Sequence, residues 1–158
     1  MDKVVIRKAK EDDLKDIQEL SQQLFIHDQE FIPYLDMNWS YEGIGVNYFK
    51  DKISGKTGVC FIADVDGKIV GYLTGGLVKS DSWRTIVKMT ELDSMIVADK
   101  FRGQKIGKIL FEQFMKWSKS IKAERIKVRA SAGNFNAIKF YEKIGFVQYA
   151  TELEQEVK

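Results

Sequence analysis

The sequence predicts an α/β domain in which helices cover a mixed β-sheet. Apolar runs that suit strands alternate with amphipathic stretches that suit helices, in the order β-α-α-β-β-β-α-β-α-β. Two of the apolar runs are joined by Asp66-Gly67, a strong hairpin signal, and two strand–helix units follow them. A hairpin followed by strand–helix units is typical of a mixed sheet with helices packed against it.

Length and composition predict one domain, residues 1–158, because typical domains run roughly 100 to 200 residues. Apolar residues make up 44% and charged residues 30%, which is ordinary for a soluble globular protein. No apolar run reaches the roughly 18 residues that a membrane helix needs. The N-terminus resembles no secretory signal, so we expect a cytoplasmic protein. The single cysteine, Cys60, excludes an internal disulfide, and we find no cluster of metal ligands.

The chain up to residue 98 predicts four strands and two helices. The first helix carries Leu14, Ile17 and Leu20 at helical spacing, behind acidic residues that favour a helix start. A loop around Pro33, the only proline, separates it from the second helix. The predicted elements are a strand at 4–9, a helix at 11–25, a helix near 42–53, two hairpin strands within 58–78 and a long strand at 85–98.

The rest of the chain predicts two helices, each followed by a strand. The first of them places Ile106, Leu110, Phe114 and Trp117 on one stripe, and Gly145 closes the second. The predicted elements are a helix at 101–120, a strand at 125–131, a helix at 136–145 and a final strand at 146–157.

The turn "RGQKIGK" (102–108) leads from the long strand into the third helix and has the composition of an anion site. Unpaired amide N–H groups and the positive end of the helix dipole point out of such a turn. Gly103 and Gly107 let the backbone approach a phosphate without a Cβ in the way. A basic helix start with flexible glycines fits the same residues, so the turn alone leaves both interpretations open.

The segment "NFNAIKFYEKIGF" (134–146) contains a second candidate site. Asn134 lies at a strand-to-helix junction, where its side chain can cap the helix or bond an extended ligand. Tyr141 lies two turns further along the same helical face, so a ligand that passes the helix would meet both residues. By residue type, Tyr141 also fits an aromatic residue of the core.

Charge is unevenly distributed, although the net charge is only +2. Residues 28–42 contain four acids and no Lys or Arg, whereas residues 100–129 contain ten Lys or Arg and two acids. The first region favours a cation and the second an anion. A nucleic-acid-binding domain is one alternative for the basic region. The sequence lacks an aromatic-interleaved basic sheet face and a recognisable reader motif, so we expect no nucleic-acid partner.

Together, the two segments resemble the GNAT superfamily of acetyl-CoA-dependent N-acetyltransferases. The family's second motif, Asn-x-x-Ala-x-x-Phe/Leu-Tyr-x-x-x-Gly-Phe, is matched in full by Asn134, Ala137, Phe140, Tyr141, Gly145 and Phe146. The phosphate motif, Gln/Arg-x-x-Gly-x-Gly/Ala, is matched by Arg102 and Gly107, but Lys105 replaces the inner glycine. For Lys105 to serve through its backbone N–H, we expect it to be helical and not left-handed.

The resemblance covers the whole chain and implies both a fold and a place for the cofactor. The fold is a mixed, mostly antiparallel sheet of six to seven strands flanked by about four helices. Acetyl-CoA enters a splay between strands 4 and 5, where the backbone of Met95, Ile96 and Val97 runs along the pantetheine arm. Asn134 belongs to the same cofactor-binding set. The residues implied around the pyrophosphate are Arg102, Gly103, Gln104, Lys105, Ile106, Gly107 and Lys108.

Acetylation of an amine needs a proton acceptor and a proton donor. An alkylamine has a pKa of about 10.4 and loses a proton before or during attack, while the departing thiolate gains one. Strand alternation puts Glu91, Asp93, Met95 and Val97 on one face of the fourth strand. The resemblance implies Glu91 as the first candidate base, Asp93 as the second, and Tyr141 as the general acid. Both carboxylates also fit positions that are merely exposed or salt-bridged.

The acceptor site implied by the resemblance includes the loop between the first two helices, about residues 27–48. Its acidic and aromatic side chains suit a cationic amine, but they also fit an amphipathic lid packed on the core. We interpret His27 as a helix-end residue. We expect an enzyme that transfers acetyl from acetyl-CoA to an amine of a small molecule, peptide or protein by direct attack in a ternary complex.

Since the sequence has no metal-ligand cluster and no membrane-spanning run, we expect no metal and no membrane partner. Homodimers are common in the family that the sequence resembles, so a homodimer is possible for this chain. A non-catalytic acyl-CoA-binding module on the same fold is the alternative function.

Overall fold

Five strands form one mixed sheet in the computed structural model, which describes residues 3–86 and 88–158. Neighbouring strands from the first to the fourth are antiparallel, and the last pair is parallel. The predicted α/β class with a mixed sheet is therefore confirmed. The strands, side by side in chain order, are β1 (Val4–Lys8), β2 (Val59–Val65), β3 (Lys68–Val78), β4 (Met89–Val97) and β5 (Arg125–Val128).

The helices that cover this sheet are α1 (Leu14–Asp28), α2 (Gly43–Ser54), α3 (Ile106–Ser120) and α4 (Phe135–Lys143). One core cluster joins α1 and α2 to one face of the sheet and includes Ile17, Phe49 and Tyr72. A second cluster joins α3 to the other face and includes Leu110 and Phe114. No helix within residues 3–86 and 88–158 has the length and apolar character that a membrane crossing requires.

The apolar stripe predicted for the third helix is confirmed. Ile106, Leu110 and Phe114 are buried, and Trp117 packs against the same cluster. A helix whose apolar residues recur every three or four positions buries one face and leaves the other to solvent. This packing fixes α3 against the sheet and so fixes the position of its N-terminus.

The predicted hairpin is also confirmed, with its turn at Asp66 and Gly67. Val65 pairs with Lys68, so two residues make the turn, and both have positive φ, 52° and 83°. A two-residue turn with positive φ at both positions matches the right-handed twist of the strands and favours Asp-Gly. The hairpin sets the register of β3 against β2, and β4 pairs with the other edge of β3.

The predicted final strand at 146–157 is wrong, and the described residues form five strands instead of the expected six to seven. An extended segment becomes a strand only where a neighbouring backbone offers free N–H and C=O groups, which alternating side chains cannot supply. Among the described residues, the edge strand β5 pairs only with β4. Within the described residues the segment pairs with no strand, although β5 has a free edge; it follows Gly145, whose φ of 108° lies just after the end of α4.

The two largest differences between predicted and observed boundaries lie at the starts of the long strand and of the third helix. The long strand expected at 85–98 begins only at Met89, and residue 87 of that prediction lies outside the described residues. The helix expected from residue 101 begins at Ile106, because a separate 3-10 turn at Asp99–Phe101 and positive φ at Gly103 and Lys105 precede it. Left-handed residues cannot continue a right-handed helix.

Candidate active site

β5 pairs along its whole length with the first part of β4, which leaves an opening beside the rest of β4. Their register ends at Leu92, opposite Val128. β4 continues to Val97, and no described strand pairs with it on that side. The opening lies where the family resemblance implies a splay between strands 4 and 5. Unpaired strand backbone of this kind needs a hydrogen-bonding partner, which an extended ligand can supply.

Backbone groups of Met95 and Val97 face this opening. The N–H of Ala98 donates to the Val70 carbonyl at 2.8 Å, on the β3 side. Successive residues of a strand turn their backbone groups to opposite edges. The groups of Ile96 therefore face β3, while those of Met95 and Val97 face the opening. Of the three residues expected along a pantetheine arm, Ile96 therefore has no backbone group that is free to bond a ligand in the opening.

The turn after β4 has a conformation that the sequence did not predict. Lys105 has φ 65° and ψ 8°, so it is left-handed, and the expectation that it is helical is wrong. This conformation favours glycine, the residue that the family motif has at this position. α3 then starts at Ile106 with no side chain capping it. Its first N–H groups lack an intrahelical acceptor and are available to an anion.

Arg102 lies between the opening and the turn. Its Nε donates to the Val97 carbonyl at 3.1 Å, and its Nη2 lies 2.9 Å from Asp99 Oδ1. The guanidinium therefore contacts one of the backbone groups that face the opening. The side chain is half exposed, so it stays within reach of a ligand that enters there.

The remaining predicted residues of the turn differ in exposure. Gln104 and Lys108 are exposed, whereas Ile106 is buried in the core, so only the backbone of Ile106 is available to a ligand. A Cβ on Gly107 would lie 3.3 Å from Cζ of Phe140. Glycine therefore allows α3 to approach α4 closely at this point.

Asn134 is the N-cap of α4. Its Oδ1 accepts a hydrogen bond from the Ala137 N–H at 3.2 Å. Of the two roles that the sequence left open for Asn134, the structure shows the capping role. Capping satisfies one of the N–H groups that a helix start leaves unpaired.

Tyr141 lies on α4 and packs against the cluster on the α3 side of the sheet. Its ring contacts the rings of Phe140 and Phe146, with centroids 5.4 and 5.6 Å away. Burial, with a smaller contribution from the Asp28 carboxylate, raises the pKa of Tyr141 to about 12. The phenol is therefore protonated at neutral pH and is able to donate a proton.

A β-bulge interrupts β4 at Asp93. Ser94 is opposite Thr74, but Leu92 is opposite Gly75, so Asp93 is the extra residue on its strand. A bulge reverses the face on which the later side chains of a strand lie relative to simple alternation. Any prediction that carries alternation through Asp93 is therefore wrong beyond it.

The bulge corrects the prediction that four side chains of β4 share one face. Met95 and Val97 pack against the cluster on the α3 side. Glu91 lies opposite Gly76, whose missing Cβ would meet Lys52 of α2, so Glu91 lies on the α2 side. Asp93 contacts α2 as well. Of the four side chains, Glu91 and Asp93 thus share one face, and Met95 and Val97 lie on the other.

The two carboxylates have different partners. Oε2 of Glu91 lies 3.7 Å from Nζ of Lys127 on β5. Oδ2 of Asp93 accepts a hydrogen bond from the Tyr48 hydroxyl at 2.8 Å and lies 2.8 Å from Nζ of Lys52. Glu91 therefore has one loose ionic contact, whereas Asp93 is held by one short hydrogen bond and one short ion pair.

Tyr48 and Lys52 are residues of the site that the sequence reasoning missed. The side chain of Lys52 is only 8% exposed, and burial, followed by the Asp93 charge, raises the pKa of the Tyr48 phenol. One signal was available, since Lys52 continues the buried stripe of Gly45 and Phe49 on α2. A lysine on an apolar stripe needs an acidic partner elsewhere in the fold.

The end of the loop after α1 packs on the core, as one of its two interpretations predicts, while Ile32 and Tyr34 are exposed. Trp39 contacts the rings of Phe25 and Phe49, each with a centroid distance of 6.0 Å. Phe31 lies against Gly133, so the loop reaches the segment that precedes α4. His27 lies in the last turn of α1, which confirms its interpretation as a helix-end residue.

Two cavities border these elements. One of about 490 Å³ lies beside α2 and is lined in part by Tyr48, Lys52 and Thr57. The other, of about 310 Å³, lies at the end of α1 and includes Ile96 and Arg102 in its lining. Within the described part of the chain, no three His, Cys, Asp or Glu side chains are grouped to hold a metal ion.

Sequence comparison relates the chain to known acetyltransferases. The model of the acetyltransferase (GNAT) family matches residues 14–146. The chain is similar to an N-alpha-acetyltransferase of Sulfurisphaera tokodaii, 30% identical over 104 residues, which cover 63% of this chain and 62% of that protein. It thus spans less than two thirds of that relative. An uncharacterized N-acetyltransferase of Archaeoglobus fulgidus is 25% identical over 139 residues, 86% of this chain and 88% of that protein.

Solved structures share the fold over the whole chain. An aminoglycoside N-acetyltransferase in complex with CoA has a TM-score of 0.78 and 14% identity, covering 100% of this chain and 97% of that one. A protein of Bacillus halodurans has a TM-score of 0.78 and 21% identity, covering 97% of this chain and 99% of that one. The matched sequence model and the fold identify the chain as a member of the GNAT acetyltransferase family, as its two motifs indicated.

Proposed function

We propose that this protein transfers the acetyl group of acetyl-CoA to a primary amine by direct attack in a ternary complex. The observation that carries the proposal is the opening beside β4, which has free backbone groups along it and an uncapped helix start at its end. An extended ligand with amides and phosphates suits both features, since amides pair with strand edges and phosphates bind helix starts.

The residues present fit acetyl-CoA. The backbone of Met95 and Val97 would pair with the pantetheine arm, and the first N–H groups of α3 would hold the pyrophosphate. Lys105 and Lys108 add positive charge next to those N–H groups. Since Lys105 already has the left-handed conformation that suits the motif glycine, the turn has the same backbone conformation that a glycine there would allow.

Acetyl-CoA supplies the acetyl group as a thioester, and three groups of this chain act around it. Glu91 accepts the proton that the amine loses as its nitrogen bonds to the acetyl carbon. A β4 N–H that faces the opening polarises the acetyl carbonyl. Tyr141 gives its phenolic proton to the sulfur as the carbon–sulfur bond breaks. Because of its short contacts to Tyr48 and Lys52, Asp93 is the second candidate base.

The acceptor is an amine of a small molecule, peptide or protein. Support comes from the names of similar proteins, which include an N-alpha-acetyltransferase and an aminoglycoside N-acetyltransferase. The acidic and aromatic composition of residues 28–42 adds support for a cationic amine.

The test is thiol release from acetyl-CoA over a panel of polyamines, aminoglycosides, amino acids and peptide N-termini. We expect release with at least one amine, and a fall in kcat of about 10²-fold for Glu91→Gln, because proton acceptors contribute on that order. Glu11→Gln makes the same chemical change on an exposed turn after β1 and should not alter kcat. Binding of acetyl-CoA without turnover on any amine would instead favour a non-catalytic acyl-CoA-binding module.

A further inference from the structure

The hydroxyl groups of Tyr48, Thr74 and Ser94 form a continuous series of contacts on the face of the sheet that α1 and α2 cover; it is called the hydroxyl chain below. The Tyr48 hydroxyl lies 2.9 Å from Thr74 Oγ1, which lies 3.1 Å from Ser94 Oγ. At one end, Tyr48 donates to Asp93 Oδ2 at 2.8 Å. At the other, Ser94 donates to the hydroxyl of Tyr72 at 3.0 Å, which is a side branch. The hydroxyl chain thus links two consecutive residues of β4, Asp93 and Ser94.

The bulge at Asp93 brings these two side chains to the same face. Consecutive side chains of a regular strand point to opposite faces. Ser94 lies opposite Thr74 and contacts its side chain, whereas Asp93 is the extra residue of the bulge. Asp93 nevertheless contacts Tyr48 and Lys52 of α2, on that same face. Without the bulge, the sheet would separate the carboxylate from the Ser94 hydroxyl.

The middle of the hydroxyl chain is buried, and both of its ends are accessible. Thr74 is fully buried, whereas the Asp93 side chain is 26% exposed. Ser94 is half-buried and directly precedes Met95, whose backbone groups face the opening beside β4. The hydroxyl chain therefore connects the opening with the solvent at Asp93.

The carboxylate determines how the hydrogens of the chain are arranged. An ionised carboxylate only accepts, so the Tyr48 hydroxyl uses its one hydrogen on Asp93. Thr74 must then donate to Tyr48, which leaves Ser94 as the donor in its contact with Thr74. Turning the Ser94 hydroxyl from Tyr72 to Thr74 therefore points every O–H toward Asp93. A hydroxyl oxygen has two acceptor lone pairs, so Ser94 can accept a proton while it passes on its own.

The proposed reaction takes two protons from the acceptor nitrogen. A primary amine with a pKa of about 10.4 is an ammonium at neutral pH, and only the neutral amine attacks. One proton must leave before attack, and Glu91 accepts the other as the nitrogen bonds to the acetyl carbon. Since Tyr141 gives one proton to the sulfur, each turnover releases one proton to solvent.

We propose that the hydroxyl chain carries the first of these protons from the bound ammonium to Asp93, an inference that rests on the proposed function. Ser94 takes the ammonium proton as it passes its own to Thr74. Thr74 and Tyr48 do the same in turn, and the proton of Tyr48 goes to Asp93, which releases it to solvent. Each hydroxyl gains one proton and loses one. The net change is one N–H bond broken on the ammonium and one O–H bond formed on Asp93.

The positions of Ser94 and Tyr141 agree with this step. Ser94 lies on the α2 side of the sheet, whereas Tyr141 packs against the cluster on the α3 side. An amine that approaches from the Ser94 side thus meets the acetyl carbon opposite the sulfur that Tyr141 protonates. Burial, followed by the Asp93 charge, raises the pKa of Tyr48, so Tyr48 stays protonated and exchanges one proton for another.

The test is the pH dependence of kcat for an amine that the wild type acetylates, measured on Thr74→Val. Valine has nearly the volume of threonine and no hydroxyl, so the chain is broken. At pH 7, where about one amine in 10³ is neutral, kcat should fall about 10²-fold. The loss should shrink toward pH 10, because the acceptor then binds without its extra proton.

Three further variants complete the test. Thr74→Ser keeps a hydroxyl and should recover most of kcat. Tyr72→Phe removes a hydroxyl that also contacts Ser94 but lies off the path to Asp93, so kcat should be unchanged at both pH values. Tyr48→Phe breaks the next link and should reproduce the pH-dependent loss, so it decides the test if Thr74→Val does not fold.

The other ionisable groups around the hydroxyl chain are the same in Thr74→Val and Tyr48→Phe. A difference from the wild type in pH dependence therefore reports the chain itself. Among the described residues, these groups are Lys52 of α2, Cys60 of β2, Tyr72 of β3, Glu91 of β4 and Asp28 of α1.

The outcomes separate this proposal from the proposed function. A fall in kcat that is equal at pH 7 and pH 10 would indicate a structural defect and overturn the proton path, while acetyl transfer would stand. An unchanged kcat in both Thr74→Val and Tyr48→Phe would overturn it too. A wild-type chain that releases no thiol with any amine would overturn the proposed function, and the proton path with it.

Discussion

The starts of α3 and α4 both follow strands that border the opening, but they differ in how their N–H groups are satisfied. At α4, the Asn134 side chain accepts the Ala137 N–H. At α3, a left-handed Lys105 precedes the helix and no side chain caps it. A capped N–H group is already paired, whereas an uncapped one has to find water or a ligand. We therefore assign the anion site to α3 and not to α4.

The difference also separates two contributions to the proposed reaction. α3 offers backbone N–H groups and cations, which act on a bound phosphate whether or not chemistry occurs. α4 offers Tyr141, whose proton is needed only as the thiolate leaves. Interactions made equally in the ground and transition states change KM, and those made only in the transition state change kcat. Changes at α3 should therefore act on KM for acetyl-CoA, and changes at Tyr141 on kcat.

The largest effect is expected for Tyr141→Phe. The change removes the proton donor and keeps the buried ring, so kcat should fall by about 10²-fold or more while KM for acetyl-CoA stays nearly constant. Steady-state kinetics measure both. Tyr149→Phe removes a hydroxyl from an exposed tyrosine and serves as the control. An unchanged kcat would exclude Tyr141 as the general acid.

The pH dependence sharpens the same prediction. The pKa of Tyr141 is raised to about 12, so the phenol keeps its proton from neutral pH to well above pH 10. Between pH 7 and pH 10, which lies below this raised pKa, ionisation of Tyr141 should therefore not lower kcat of the wild type. A loss of kcat in this range that Tyr141→Phe abolishes would contradict the proposed environment of the phenol.

A smaller effect is expected for Lys105→Gly. Glycine keeps the left-handed turn and removes the ammonium, so KM for acetyl-CoA should rise several-fold, about the effect of one exposed phosphate contact. Lys105→Ala removes the same charge but keeps a Cβ at φ 65°. KM for acetyl-CoA should rise equally in both variants. The free energy of unfolding of the alanine variant should be about 1 kcal/mol lower than that of the glycine variant. A lower KM for acetyl-CoA in Lys105→Gly would contradict this prediction and show that the lysine weakens cofactor binding.

Sequence reasoning found the parts of this site that are local along the chain. The turn at residues 102–108 and the cap at Asn134 lie at strand-to-helix boundaries, which residue type and spacing locate, although the conformation expected for Lys105 within the turn is wrong. Tyr141 follows from its helical spacing and from the family motif. The stripe of α3 was predictable because the periodicity of a helix is visible in sequence.

The features that were missed depend on contacts between distant segments. The bulge at Asp93 is a change of register against β3, and the sequence of β4 contains no signal that predicts it. The contacts of Asp93 with Tyr48 and Lys52 exist only after α2 packs on the sheet. Likewise, alternation in residues 146–157 indicates which side chains would share a face, but it does not indicate whether the segment pairs with another strand.

The smallest kinetic effect is expected for Asn134→Ala, which tests the other half of the comparison. Loss of the cap should lower the free energy of unfolding by about 1 kcal/mol, while KM for acetyl-CoA stays unchanged. Thermal unfolding and steady-state kinetics on the same samples measure the two quantities. Asn134→Ser retains a side-chain oxygen that can accept the Ala137 N–H, so it should recover most of the stability.

A rise in KM for Asn134→Ala that Asn134→Ser does not reverse would point to a ligand contact made by the amide group itself. The start of α4 would then bind the cofactor too, and the contrast between the two helix starts would be lost. A rise in KM that serine reverses along with stability would mean that the cap positions α4 for binding. Only a loss of stability with constant KM leaves the phosphate site to the uncapped start of α3.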